Sequence, residues 1–122
     1  MSLSEKMKSI RDLIDTPTEG IGIDATVDHG KRLASMIGLS AECKSEARRN
    51  LENSRLIAIK MHSDPKKITP SILSKMIDGA CADEIANYEY ADRLNAGITH
   101  KLEFLRSVIS LHKTEVQISM QQ

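Results

Sequence analysis

The sequence has very few aromatic residues. Its 122 residues include two Tyr, one Phe and no Trp. Aromatic side chains bury the most area per residue, so a core without them is thin and is built from Leu, Ile, Val, Met and Ala. Such a core suits close helix-on-helix packing better than a β-sandwich or a barrel. We therefore expect an all-α protein, either a modest helical bundle or an obligate oligomer.

The sequence also lacks an excess of charge of either sign. It has 17 basic and 17 acidic residues, so no strongly basic field indicates nucleic-acid binding. Locally the charges are uneven: residues 44–67 contain seven basic and three acidic residues, whereas residues 78–92 contain five acidic and no basic ones. These segments are either two solvated helix faces or complementary surfaces. In the second case the basic segment binds a polyanion, or the two pair head to tail in an assembly.

Cysteines and long apolar runs are scarce as well. Cys43 and Cys81 belong to no C-x-x-C pattern, and buried, reduced thiols in a cytoplasmic protein are the expected case. Residues 1–14 alternate charged and apolar side chains and do not form a secretory signal. The longest aliphatic run, Leu56–Ile59, is too short to span a bilayer. We therefore expect a cytoplasmic location and no membrane partner.

The apolar periodicity predicts two parts. Residues 1–22 form a short amphipathic helix and a linker, because a three- and four-residue repeat precedes the breaker segment DTPTEGIGID. Residues 23–122 form an elongated antiparallel helical hairpin, with helices over about 24–62 and 70–119. Gly38 favours a break in the first helix with Ser40 as a new N-cap, and Gly79 is the weak point of the second. Thr69 and Pro70 predict an N-cap and a first helical position.

The C-terminal helix carries two apolar stripes. The first has alternating steps of four and three, as in a coiled coil, with the polar His112 between Ile109 and Val116. We interpret its other members as the oligomer or hairpin seam: Tyr88, Ala91, Asn95, Ile98, Leu102, Leu105, Ile109 and Val116. The second consists of Tyr90, Leu94, Gly97, Lys101, Phe104, Val108 and Leu111. A helix with two apolar stripes faces more than one neighbour. The hairpin partner covers one stripe, and the N-terminal helix or another subunit covers the other.

The length of this helix favours association. At 1.5 Å per residue it extends roughly 70 Å and overhangs its shorter partner. An overhanging apolar stripe is unfavourable in water, which predicts a homo-oligomer. Asn95 has two interpretations: its part of the seam faces solvent, or it fixes the register and stoichiometry of the assembly.

No catalytic, metal-binding or cofactor-binding pattern is found in the sequence. Two H-x-x-E pairs begin at His100 and His112, but they lie about 18 Å apart on one helix and do not share a metal. Phosphate loops, nucleophile elbows and zinc-ligand spacings are absent. Neither cysteine belongs to a sequence pattern that supplies a base in a cleft to activate it. We therefore expect a non-enzymatic protein without metal or cofactor.

Two segments carry a resemblance to a known family. IGIDATVDHGKRLASMIGLSAECKSEARRNLENSRLIAI and YEYADRLNAGITHKLEFLRSVISLHKTE, joined by a polar linker, resemble the phage recombination-mediator UvsY family over residues 23–115. The resemblance lies in the helix lengths, the Ala/Lys/Arg spacing and the basic first arm. It implies a small, helical, non-enzymatic protein that forms a ring-like homo-oligomer, binds single-stranded DNA and helps to load a recombinase past single-strand-binding protein.

Two features depart from that pattern: the net charge is zero, and few aromatic residues are available to stack on bases. No family residue is therefore carried over as a site. If DNA is bound, phosphate contacts come from Arg48, Arg49, Arg55, Lys60, Lys66 and Lys67. Two functions follow as hypotheses. The first is an oligomeric interaction or assembly protein of phage or prophage origin whose partner is itself. The alternative is a recombination accessory protein that binds single-stranded DNA or a recombination protein.

Overall fold

The protein is all-α, as the sequence predicts. A computed structural model describes residues 1–62 and 69–121, and within these ranges it contains five helices and no strand. The helices are α1 (Leu3–Asp15), α2 (Ile23–Ser35), α3 (Ile37–His62), α4 (Pro70–Ala80) and α5 (Ala82–Gln121). The long helix α5 packs against all of the other four.

The helix starts follow ordinary capping chemistry. Ser2 accepts a hydrogen bond from the backbone N–H of Glu5 and caps α1. Thr69 accepts one from the N–H of Ile72, and Pro70 occupies the first helical position of α4, which confirms that prediction. Helix α1 ends at Asp15, before the breaker segment, in which Gly20 and Gly22 both have positive φ.

The breaks within the long helical segments lie close to the predicted glycines but not at them. Helices α2 and α3 are separated at Met36, whose N–H bonds to the carbonyl of Leu33, three residues back. Ser40 is therefore not an N-cap but a buried residue of α3, and that prediction is wrong. The tightened turn uses an ordinary right-handed conformation at Met36, so it does not require the freedom of Gly38. The second break lies at Cys81, two residues after Gly79.

Helix α1 lies across α3 and α5 and completes the central cluster. This cluster contains the buried residues Met7, Ile10, Cys43, Ala47, Ala91, Leu94 and Ile98. A smaller cluster of Leu51, Ala58 and Cys81 joins α3, the α4–α5 break and their neighbours. Small side chains of α3, among them Ser40, Cys43 and Ala47, are buried where this helix packs on α5.

Helix α5 runs antiparallel to α2 and α3. The Ser40 hydroxyl bonds to Asn95, and Lys44 pairs with Asp92, so residue numbers rise on one helix as they fall on the other. Gly30 of α2 faces Leu105 further along α5. The last helical turns of α5 therefore extend past the start of α2.

Candidate interaction surfaces

The predicted seam of α5 is largely covered inside the chain. Ala91, Ile98 and Leu105 are buried, whereas Tyr88, Asn95, Leu102 and Ile109 are half-buried. Val116 is exposed. The structure thus brings most of this stripe against the protein's own helices and leaves only its C-terminal end in solvent.

Asn95 has a partner within the chain. The Ser40 hydroxyl donates a hydrogen bond to Asn95 Oδ1 at 3.2 Å, and Ser40 is fully buried between α3 and α5. A polar pair at this depth holds the two helices at one register, because a slip leaves the Ser40 hydroxyl without its acceptor. The polar seam residue is therefore paired within the chain, at a contact that favours one α3–α5 alignment.

The second stripe of α5 divides into a covered half and an open half. Tyr90, Leu94 and Gly97 face α1, with Ile14 packed close to Gly97. Helix α1 ends at Asp15, and beyond this level the stripe is exposed. We call Phe104, Val108, Leu111, Glu115 and Ile118 the open stripe. Phe104 and Ile118 are each 53% exposed and Leu111 is 61% exposed.

The second stripe, as the periodicity predicts it, ends at Leu111 and omits Glu115 and Ile118. A signal for the longer stripe exists in the sequence, because Ile118 follows Leu111 by seven residues and continues the same helical face. The meaning of that signal depends on where α1 ends, and the periodicity does not contain that information.

A groove of about 360 Å³ runs beside the open stripe. Phe104, Val108 and Leu111 form one wall, and the other is formed by Ile23, Thr26 and the segment from Thr18 to Gly22. The Thr26 hydroxyl donates a 2.7 Å hydrogen bond to the carbonyl of Gly22 and so closes the first turn of α2. The ionisable residues along the groove are Glu19, His112 and Glu115. The groove is therefore lined largely by apolar side chains, with one carboxylate on each wall.

The basic residues proposed for nucleic-acid binding spread over the outer sides of α3. Arg48, Arg49, Arg55 and Lys60 are exposed, whereas Lys66 and Lys67 lie outside the described residues. Arg48 pairs with Glu52 at 3.1 Å. Arg48 and Arg55 are seven residues apart and share one side, whereas Arg49 points about 100° away from Arg48. The four described residues thus form a broad, partly neutralised basic surface.

The acidic segment is partly neutralised as well. Asp92 pairs with Lys44 at 2.8 Å, and this hydrogen bond raises the pKa of the Lys44 ammonium above its usual value. Glu89 lies 3.8 Å from Arg93 on its own helix. Two of the five acidic residues in residues 78–92 therefore form ion pairs within the chain.

The two free cysteines are buried, whereas His100 lies on the surface. Cys43 and Cys81 are buried free thiols, and burial raises the pKa of Cys43 above its usual range, which disfavours the thiolate. His100 lies 3.9 Å from Glu103 on the exposed side of α5. Among residues 1–62 and 69–121 no cluster of three or more His, Cys, Asp or Glu side chains could hold a metal ion.

His29 is a buried polar residue that the sequence did not single out. It is only 6% exposed, and its Nε2 atom has no hydrogen-bond partner within the described structure. Desolvation lowers its pKa, and the nearby cations Lys101 and Arg32 lower it further, whereas a hydrogen bond with the backbone of Leu13 acts in the opposite direction. The side chain is therefore held neutral between α1, α2 and α5.

Over the described ranges, no helix combines the length and apolar character that crossing a membrane requires. Comparison of the chain with protein-family models, with curated proteins and with solved structures gave no match.

Proposed function

We propose that this chain is a non-enzymatic helical assembly protein that associates with itself through the C-terminal third of α5. The observation that carries the proposal is the open stripe, whose apolar side chains continue the face that α1 covers earlier on the same helix. Exposed large apolar side chains at regular helical spacing are typical of a helix that completes its packing with another helix.

The rest of the fold suits such a role. In this proposal α2–α3 and α4–α5 are the two arms of an elongated antiparallel hairpin, and α1 braces one face of it. The Ser40–Asn95 and Lys44–Asp92 pairs support this arrangement because they join the arms at neighbouring levels. A braced hairpin presents the overhanging end of α5 as a preformed surface, which lowers the entropic cost of association. The proposed setting is the cytoplasm.

The proposal is tested by the mass of the protein in solution, measured by light scattering and sedimentation at micromolar concentration. The wild-type protein is expected to be oligomeric, and Leu111→Glu is expected to make it monomeric, because a carboxylate in an apolar interface is costly to desolvate. A strictly monomeric wild-type protein contradicts the proposal.

Leu56→Glu is the matched control. Leu56 lies on α3 and is 57% exposed, close to the 61% of Leu111, but it is not part of the open stripe. We expect this variant to remain oligomeric. If Leu56→Glu dissociates the protein and Leu111→Glu does not, assembly uses the α3 end of the molecule and the proposed surface is wrong.

A second candidate function is single-stranded DNA binding as a recombination accessory protein, and the basic surface of α3 favours it. Phosphate contacts from Arg48, Arg49, Arg55 and Lys60 would give sequence-independent binding that weakens steeply with salt. The triple variant Arg48→Glu, Arg49→Glu, Lys60→Glu is expected to abolish binding at low salt, whereas Lys113→Glu on the far end of α5 retains it. Absence of binding by the wild-type protein at low salt removes this candidate.

A further inference from the structure

The charges on the α5 stripe distinguish one direction of pairing from the other. Lys101 lies one turn before Phe104 on the same face, with its ammonium 6.0 Å from the centre of the Phe104 ring. Glu115 lies near the opposite end of the stripe and lines the groove together with Glu19. One end of the stripe is thus cationic and the other is anionic.

Parallel pairing of two copies places like charges together. In a parallel, in-register pair each stripe position meets its own counterpart, so Glu115 stands against Glu115 of the second copy. The two Lys101 side chains meet in the same way. Like charges facing each other across a helix pair are destabilising, and here both ends of the contact have this defect.

Antiparallel pairing places opposite charges together. In an antiparallel pair, the a positions of one helix face the d positions of the other. Val108 of each copy therefore meets Leu111 of the second copy. The two-fold axis then passes between these positions. At this register Lys101 of each copy faces Ile118 of the other, and Phe104 faces Glu115. The Lys101 ammonium is then about one helical turn from the Glu115 carboxylate of the second copy, within reach of its long side chain.

We propose that the occupant of the open stripe is the same stripe of a second copy, packed antiparallel about a two-fold axis between Val108 and Leu111. This inference rests on the proposed function and adds the direction, register and symmetry of the contact. The contact is isologous and closed, so it yields a dimer and does not extend into a filament. Two equivalent Lys101–Glu115 pairs fix its direction.

Distances between spin labels test the direction. Labels are attached to the single variants Leu111→Cys and Ile118→Cys and measured by pulsed electron resonance in the dimer. Antiparallel pairing separates the two Ile118 positions by about 25 Å along the axis and the two Leu111 positions by about 5 Å, whereas parallel pairing offsets neither. Cys43 and Cys81 are each 1% exposed, and the labelled wild-type protein serves as the control for their reactivity.

A charge exchange provides a test without labels. Lys101→Glu and Glu115→Lys are each expected to weaken the dimer, by roughly two- to tenfold in Kd for contacts of this exposure. The double variant within one chain restores opposite charges in the antiparallel pair and is expected to regain the wild-type Kd. In a parallel pair the double variant still places like charges against each other at both ends of the contact. It is then not expected to regain the affinity that a single variant loses.

The outcomes separate this inference from the one on which it rests. A wild-type monomer overturns the proposed function, and the pairing falls with it. A dimer with equally short distances at Leu111 and Ile118, or without rescue in the double variant, leaves self-assembly standing and overturns the antiparallel arrangement alone.

Discussion

Two segments of α5 have the same apolar spacing but different surroundings. Residues 82–105, the covered segment, pack against α1, α2, α3 and α4, and their inward side chains are buried or half-buried. Phe104, near the end of this segment, already belongs to the open stripe. Residues 106–121, the open segment, have no fully buried side chain, and only Ile109 and His112 are half-buried. The difference shows that a helical stripe marks a surface that can be buried, whereas the length of the neighbouring helices decides whether it is.

The neighbours end for identifiable reasons. Helix α1 ends at Asp15 because Pro17, Gly20 and Gly22 follow within the next turns, and the two glycines adopt positive φ. Helix α2 begins at Ile23 beside the groove, so it leaves the last turns of α5 without a partner. The open segment therefore results from where the other helices stop.

The largest contrast is expected between isoleucines of the two segments. Ile98 is 1% exposed in the central cluster, so Ile98→Ala should lower the free energy of unfolding by about 2–5 kcal/mol. Ile118→Ala in the open segment should change it by at most about 0.5 kcal/mol under conditions where the protein is monomeric. Urea denaturation of both variants measures the difference, and equal losses would mean that the open segment is packed within the monomer.

A smaller contrast is expected between two serine hydroxyls. Ser40→Ala removes the donor to Asn95 at a fully buried site and should cost about 1–3 kcal/mol. Ser107→Ala in the open segment removes an exposed hydroxyl that bonds only to the carbonyl of Glu103, and should be nearly neutral. The same denaturation measurement checks both. A neutral Ser40→Ala would show that the pair does not hold the α3–α5 register.

The pH dependence of the unfolding free energy should come from His29, which is buried beside the covered segment. Its pKa in the folded protein is lowered, so the unfolded chain binds the proton more readily. Stability should therefore be highest above the unfolded pKa of about 6.5 and should fall as the pH drops from there toward the folded pKa.

Replacing the titrating side chain tests this assignment. His29→Gln should flatten the dependence of the unfolding free energy on pH between pH 7 and pH 5, since the glutamine amide does not titrate. An unchanged slope in the His29 variant would assign the acid sensitivity to another group.

The smallest expected effect is an increase in stability, from the replacement of Gly79 by alanine. An Ala side chain at Gly79 would meet no atom within 4 Å, and the residue lies inside α4, before the covered segment begins. Gly79→Ala should raise the unfolding free energy by about 0.5–1 kcal/mol because it reduces the freedom of the unfolded chain. A loss of stability would indicate that the break at Cys81 depends on the flexibility of Gly79.

Much of the local structure is predictable from the sequence. The stripe of Met7 and Ile10, the cap at Thr69 and the spacing on α5 all depend on neighbours within a few residues, so pattern and capping rules apply directly. The break between α2 and α3 lies at Met36 and not at Gly38. Ser40 is buried and is not the predicted N-cap, because its contact with Asn95 comes from a residue 55 positions away.

By itself, the sequence determined that this protein is helical, that its core is built from aliphatic and small side chains, and that α5 has two apolar stripes. Those properties follow from side-chain volume, backbone preference and a 3.6-residue period, all of which act locally. The tertiary structure alone decided which half of each stripe is covered, that Asn95 bonds to Ser40, and that His29 is held neutral. These features depend on how far α1, α2 and α3 extend along α5, because burial is set by the presence of a neighbour and not by the pattern that allows it.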